Sequence, residues 1–401
     1  MNTRFLQQPP TATYRRSVTQ ASILIGILLI AANLRAPFTG LPPLLGLISA
    51  DLGLGTTAAS TLTTLPLLAF ALVSPLSTMF AREYGLERAL FGALCAITAG
   101  ILLRSASAVW CLYAGTGLIG AGIAVGNVLL PSLVKRNFPH NIAALTGAYA
   151  LAMGVAAALC SAVAVPLAQA WGWQRALATF IVLPSVAIAV WSIQLGARSK
   201  PAAGTAAALH GGKVWHSALA WQVTLFLGLN STIYYVAIAY LPAILVDAGL
   251  SPERAGSLHG VLQLATAIPG LIIGPILRHL RDQRVPAVTV TILSAIALLG
   301  LLVAPQWALV WSILFGVGTG AGIILGLTFI GLRSGNASQA GALSGMSQCI
   351  GYLLAATGPL VIGALHEALG GWQVPIGICI GLSLLTAVIG LLVGRNRQLG
   401  T

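Results

Sequence analysis

Twelve long apolar runs, separated by short breaks that carry charges, Gly or Pro, dominate this chain of 401 residues. A helix needs about 20 predominantly apolar residues to cross the hydrocarbon core of a bilayer. Most runs reach that length, so the sequence predicts an all-α membrane protein with twelve transmembrane helices. The predicted spans are residues 18–47, 58–80, 89–104, 109–133, 142–168, 174–195, 218–246, 255–278, 286–304, 307–332, 341–365 and 373–394.

Charged residues are too rare for a protein that folds in water. They make up 7% of the chain, whereas an average soluble domain has about 25%. Apolar residues make up 57%, which is the opposite of the composition of disordered chains. A soluble globular enzyme and a disordered protein are both excluded.

The basic residues are unevenly distributed between the two sides of the predicted bundle. Twelve spans put both termini on one side, and sixteen of the twenty Lys and Arg residues fall there. They are Arg4, Arg15, Arg16, Arg82, Arg88, Lys135, Arg136, Arg198, Lys200, Lys213, Arg278, Arg281, Arg284, Arg333, Arg395 and Arg397. Because cytoplasmic loops carry the excess of positive charge, both termini are predicted to be cytoplasmic. Topology explains the net charge of +13 without nucleic acid.

The chain also contains a weak internal repeat. A polar interval, residues 196–217, divides it near the middle, and short matches recur on both sides at an offset of about 200. One example is Gly172-Trp173-Gln174 and Gly371-Trp372-Gln373. The sequence predicts a six-helix half at 1–195, a cytoplasmic linker at 196–217 and a second parallel half at 218–401, with a solute site between the halves.

Several segments narrow the identity further. They are Asn33-Leu34-Arg35, residues 62–70, residues 126–131 and Ser257-Leu258-His259-Gly260. These stretches resemble the cyanate permease and 2-nitroimidazole transporter branch of the major facilitator superfamily, and most of all the bacterial 2-nitroimidazole transporters. The resemblance implies cyanate-like or nitroimidazole-like solutes that are moved by alternating access across a bacterial inner membrane.

Arg35 is the one clear charge inside a predicted span. It lies about 15 residues beyond Gln20, which places it roughly 22 Å into a core of about 30 Å. Charges at such depth usually serve function, and a guanidinium suits planar bidentate acceptors. The alternative is that Arg35 extends toward the interface or caps carbonyls freed by Pro37, Pro42 and Pro43. The offset of 200 pairs it with Tyr235.

Further candidates for substrate binding are polar and aromatic side chains that recur four residues apart, and so share one helix face. The resemblance implies that their spans line or flank the cavity, whereas the alternative is hydrogen bonding that holds the helices together. The candidates are Asn230 with Tyr234, His259 with Gln263, Gln348 with Tyr352, Tyr149 with Met153, and the single residue Asn127.

Glycine is concentrated in two corresponding spans. One run extends from Gly115 to Gly126 and the other from Gly316 to Gly326. Small residues let membrane helices approach closely, so both runs are predicted to be packing surfaces.

Carboxylates are predicted to lie only in loops or at interfaces: Asp51, Glu83, Glu87, Asp247, Glu253, Asp282 and Glu367. Their placement argues against antiport of cationic drugs driven by a buried carboxylate. His259 is then the candidate proton carrier, with neutral hydrogen bonding as the alternative.

We therefore predict a secondary active or facilitative transporter of a small polar or anionic organic solute. Proton-coupled multidrug efflux is the alternative, and a membrane enzyme or sensor is a rival for which the sequence has no nucleophile with its base or metal cluster. The expected partners are a small-molecule substrate and the lipid bilayer, with protons as a candidate. A monomer is expected, and no nucleic acid, metal or cofactor.

Overall fold

The computed structural model describes residues 11–138, 140–195, 214–278, 280, 282–335 and 337–399, and every regular element there is a helix. The α-helices are α1 (Thr11–Asn33), α2 (Ala36–Thr39), α3 (Leu45–Leu52), α4 (Thr56–Tyr84), α5 (Leu86–Arg104), α6 (Val109–Asn137), α7 (Ile142–Trp171), α8 (Trp173–Thr179), α9 (Val182–Trp191), α10 (Ala218–Asp247), α11 (Pro252–Ala265), α12 (Pro269–Arg278), α13 (Arg284–Val303), α14 (Ala308–Leu332), α15 (Ala337–Leu369) and α16 (Gln373–Val393). Three short 3-10 helices are Pro42–Leu44, Ser192–Gln194 and Pro305–Trp307.

Twelve segments of the described chain are long and apolar enough to cross a membrane, which confirms the prediction. Numbered in chain order as spans 1 to 12, they are Gln20–Leu52, Ala58–Ala81, Leu86–Arg104, Val109–Val134, Ala144–Trp171, Trp173–Gln194, Ala218–Asp247, Pro252–Ile273, Arg284–Val303, Pro305–Leu332, Ala342–Leu369 and Gln373–Val393. Of the predicted linker, residues 196–213 lie outside the described part of the chain.

Span 1 is not one continuous helix, and its break lies at Arg35. Helix α1 ends at Asn33, and α2 starts at Ala36 with Pro37 in its first turn. Proline has no backbone N–H to donate, so the helical ladder is interrupted next to it. The break exposes backbone carbonyls in the middle of the bundle, where other side chains reach them.

A duplicated hydrogen bond relates the two halves. The indole of Trp173 donates to a carboxylate oxygen of Asp51 at 2.7 Å, and the indole of Trp372 donates to Asp247 at 2.7 Å. In both halves the aspartate lies within one residue of the end of the first span, and the tryptophan lies within one residue of the start of the sixth span. This correspondence supports the internal repeat that the sequence shows.

The halves meet along two pairs of spans. Span 5 packs on span 8 and span 2 packs on span 11, through α7 with α11 and α4 with α15. We call the side on which span 1 ends the distal side, and the opposite side the proximal side.

Two polar contacts close the distal side between the halves. The hydroxyls of Ser60 and Tyr240 are hydrogen-bonded, and the amide of Gln169 donates to the carboxylate of Glu253. Tyr240 also donates to the carbonyl of Pro359 at 2.7 Å, which fixes its hydroxyl. Both contacts join the N-terminal half to the C-terminal half.

Candidate functional site

Arg35 projects from the break in span 1 into the boundary between the halves. Its Nη1 donates to the hydroxyl of Thr266 at 2.8 Å, and its Nη2 donates to the hydroxyl of Tyr234. The guanidinium carbon lies 5.2 Å from the centre of the Tyr234 ring. Both partners belong to the C-terminal half, so one arginine connects span 1 to spans 7 and 8.

No carboxylate balances this charge in the part of the chain that the structure describes. The ion pairs there are Arg136 with Glu87 and Arg284 with Asp282. Arg35 is half-buried, so part of its side chain is exposed. An uncompensated guanidinium inside a membrane protein favours a negatively charged or strongly accepting ligand.

A directed chain of hydrogen bonds continues from the arginine. Tyr234 donates to the side-chain oxygen Oε1 of Gln263 at 3.0 Å, and the side-chain nitrogen Nε2 of Gln263 lies 3.2 Å from Nε2 of His259. Nδ1 of His259 lies 2.6 Å from the hydroxyl of Ser161, which donates to the carbonyl of Gly256 at 3.1 Å. This series of hydrogen bonds therefore starts at Arg35 in the N-terminal half, crosses the C-terminal half and returns to the N-terminal half at span 5.

Counting only these bonds, the two ends of the series lead to one assignment of its hydrogens. A guanidinium only donates and a carbonyl only accepts, so each group between them passes on one hydrogen. His259 is then neutral, with its hydrogen on Nδ1 and its Nε2 accepting from Gln263. The side chains of His259 and Gln263 are both 0% exposed, so neither is hydrogen-bonded to bulk water. The backbone carbonyl of Ile238 is a further acceptor beside the imidazole, so it favours a hydrogen on the ring nitrogen that faces it.

Aromatic rings surround the arginine. Tyr235 makes an edge contact with Phe38, with ring centres 6.0 Å apart, and lies 5.1 Å from the ring of Tyr234. Tyr352 contacts Phe70 at 5.4 Å and is close enough to interact electrostatically with the guanidinium. Tyr235 and Tyr352 are half-buried, so they present ring surface beside the charge.

Asn230 lies apart from this cluster. It is buried, and its amide donates to the carbonyl of Thr319 at 3.0 Å. The contact joins span 7 to span 10 within the C-terminal half, which is the arrangement expected of a residue that holds helices together. Its role in binding stays a prediction.

The remaining candidates are half-buried. Gln348 donates to the hydroxyl of Ser344 in its own helix at 2.9 Å. Tyr149 packs against the main apolar core. The amide of Asn127 makes no hydrogen bond to any described residue. The side chain of Asn127 and the side-chain oxygen of Gln348 are therefore available to a ligand.

Two partners in the cluster, Thr266 and Ser161, are absent from the candidates of the sequence analysis. Thr266 lies seven residues after His259 and three after Gln263, and these spacings share one helix face. A search for polar residues at i, i+4 and i+7 detects it. Ser161 gives no comparable signal, because serine is common in apolar spans.

Arg104, the last residue of span 3, is a second buried arginine. It is 1% exposed, and its Nη1 donates to the carbonyl of Pro37 at 2.7 Å. Its Nε and Nη2 have no hydrogen-bond partner among the described residues. Arg104 thus caps a backbone carbonyl beside the break of span 1.

One carboxylate is more deeply buried than the sequence analysis predicts. Glu87, at the proximal end of span 3, is 3% exposed and paired with Arg136. Its backbone carbonyl accepts from the indole of Trp191 at 3.0 Å. These contacts fix spans 3, 4 and 6 together at the proximal side, away from the Arg35 cluster.

A cavity of about 460 Å³ lies at the distal end, between the halves. Its walls are mostly apolar and include Pro42, Ser60, Tyr240 and Trp372. None of the predicted binding residues lines it. We interpret the cavity as a vestibule at the distal closure, and not as the recognition site.

Comparisons with known proteins agree with this architecture. The family model of the Major Facilitator Superfamily matches residues 23–356. The 2-nitroimidazole transporter of Escherichia coli (strain K12) is 53% identical over 379 residues, which are 94% of this chain and 96% of that protein. The cyanate transport protein CynX of the same organism is more distant, 25% identical over 371 residues, or 91% of this chain and 96% of that protein.

A solved structure shows the same fold. It is the crystal structure of a bacterial homologue of the human lysosomal transporter Spinster, with a TM-score of 0.76 and 14% identity. The likeness covers 94% of this chain and 97% of that chain. The two chains therefore share the arrangement of twelve spans over nearly their whole length.

Proposed function

Because the chain belongs to the major facilitator superfamily and is a transporter of that type, we propose that it carries a small planar solute with a bidentate acceptor, such as an anion or a nitroheterocycle, across the bacterial inner membrane. Transport takes place by alternating access between halves 1–195 and 218–401, with residues 196–217 as the connection. Arg35 recognises the acceptor group.

One observation carries this proposal: a half-buried guanidinium without a carboxylate partner in the described chain lies at the boundary of the halves, among aromatic rings. The planar fork of Arg35 matches carboxylate, nitro and similar groups. Tyr235 and Tyr352 supply surfaces on which a flat ring can rest. The 2-nitroimidazole and cyanate transporters to which the chain is similar support the same solute class.

Proton-coupled multidrug efflux is set aside. The buried carboxylate, Glu87, is paired with Arg136 at the proximal end of the bundle. A cationic drug would meet the guanidinium of Arg35 at the boundary between the halves, which repels it. The 2-nitroimidazole transporter and the cyanate transport protein, to which the chain is similar over more than nine-tenths of its length, are not named as drug efflux proteins.

A direct transport assay tests the proposal. Purified protein in liposomes is expected to take up 2-nitroimidazole, cyanate or a small aromatic carboxylate saturably, and to leave each solute chemically unchanged. A cationic dye of similar size is the control and is expected to be excluded. Repeating the assay with a pH gradient examines protons as the coupling ion. Saturable uptake of the cation with none of the acceptor solutes would refute the proposed solute class.

Orientation is part of the proposal, with both termini and residues 196–217 in the cytoplasm. In a variant without the five native cysteines, single cysteines at Ser199 and Thr205 are expected to react with an impermeant maleimide only after cell lysis. Ser107, in the exposed turn between spans 3 and 4, is the matched position and is expected to label in intact cells. The reverse pattern would invert the topology.

A further inference from the structure

We propose that the empty carrier is locked by its own Arg35, that the solute releases the lock, and that the protein therefore works mainly as a solute-for-solute exchanger. The inference rests on the proposed function, because it needs a solute that binds Arg35. It adds the mode of transport, exchange. This mode follows from the groups that bind the Arg35 guanidinium when no solute is present.

Both terminal nitrogens of Arg35 are engaged by hydroxyls from the other half, those of Thr266 and Tyr234. A planar bidentate acceptor uses the same edge of the guanidinium fork. Solute and lock therefore compete for one group. Binding of the solute removes the hydrogen bonds that tie span 1 to spans 7 and 8.

Release at the arginine reaches a second connection between the halves. Tyr234 is also the donor to Gln263, which holds His259 against Ser161 on span 5. Hydrogen bonds in such a chain polarise one another, so loss of the first weakens the rest. Displacing Tyr234 thus loosens the contact of span 8 with span 5 without any solute touching Ser161.

The consequence concerns the return step of the transport cycle. Alternating access requires the halves to rock, and in the empty protein that motion must break the bonds of Arg35 without compensation. In the loaded protein the solute has already replaced them. Hydrogen bonds to a charged group slow the empty return by on the order of tenfold or more. Each solute that leaves is then usually replaced by another before the carrier returns.

The test compares exchange with net uptake. Proteoliposomes are loaded with unlabelled 2-nitroimidazole or left empty, and the initial uptake of radiolabelled 2-nitroimidazole is measured in both. Uptake into loaded vesicles is expected to be about tenfold faster or more. The double variant Tyr234→Phe/Thr266→Val keeps the ring and the volume but removes both hydroxyls. In this variant the rate of uptake into loaded vesicles, divided by the rate into empty vesicles, is expected to fall to about one to three. The fall is expected to come from faster uptake into empty vesicles.

A matched double variant controls for the loss of hydroxyls alone. Tyr113→Phe/Thr232→Val removes the same atoms from two hydrogen bonds within single halves, to the carbonyls of Ala58 and Gly228. Its exchange ratio is expected to equal that of the wild type.

Two outcomes oppose the inference, and a third opposes the proposed function on which it rests. Saturable wild-type uptake at equal rates into loaded and empty vesicles would overturn the exchange mode and leave the proposed function standing. A folded Tyr234→Phe/Thr266→Val variant with the wild-type ratio would show that these hydroxyls are not the lock. If the double variant does not fold, Thr266→Ala alone takes its place. No wild-type uptake of any acceptor solute would instead refute the proposed function.

Discussion

Arg35→Ala is expected to lower transport by about 100-fold or more while leaving membrane insertion and yield close to wild type. The guanidinium is the recognition group of the proposed site, and removing one member of a desolvated charged contact typically costs about 2–5 kcal/mol. The folded state depends less on it, because its bonds are to two neutral hydroxyls. Initial rates of solute uptake and the amount of monodisperse protein measure the two effects.

Arg35→Lys is expected to recover little of this loss. Lysine keeps the charge but has no planar fork, so it binds a bidentate acceptor at one point only. Arg175→Ala is the matched control, since Arg175 is exposed at the distal side of the same half. It removes an equal charge and is expected to transport at the wild-type rate. Wild-type transport by Arg35→Ala would exclude the arginine as the recognition group.

The spans and the depth of Arg35 were predictable because they depend on local pattern. Membrane helices must satisfy their own backbone and face lipid with apolar side chains, so each span appears as an apolar run. Because the loops are short, successive spans cross the membrane in opposite directions. Arg35 stands out because one charge interrupts an otherwise apolar segment.

The partners of Arg35 were not predictable in the same way. Its hydrogen bonds reach Tyr234 and Thr266, which are 199 and 231 residues away, and only packing of the two halves brings them together. The repeat offset points to Tyr235, one residue from the actual partner. One position along a helix is a rotation of about 100°, so the offset finds the level in the membrane but not the face.

Arg104 shows a second limit of sequence reasoning. It ends an apolar run, and a charge at that place is ordinarily assigned to the adjoining loop. Its burial depends on span 1, whose break supplies the Pro37 carbonyl that Arg104 caps. The relevant neighbour is 67 residues away in sequence, so no local pattern reveals it.

Gly115→Val is expected to be the most damaging of the glycine substitutions considered for span 4. A Cβ at Gly115 would lie 2.4 Å from the backbone nitrogen of Arg104 and 2.6 Å from the carbonyl oxygen of Gly100. Both neighbours are backbone atoms of span 3, so no side chain can rotate away and the two helices must separate. Overpacking of this kind costs about 1–3 kcal/mol, and more where backbone must move.

The expected result is a fall of roughly 2–4 °C in the apparent melting temperature in detergent, with a smaller monodisperse peak. Separation of spans 3 and 4 also moves Arg104 from the Pro37 carbonyl, so transport is expected to fall in the protein that remains folded. Gly117→Val is the matched control in the same helix, because a Cβ there meets no atom within 4 Å. Both variants place valine in the helix, so their difference isolates the contact between helices. Equal melting temperatures would show that spans 3 and 4 do not pack through Gly115.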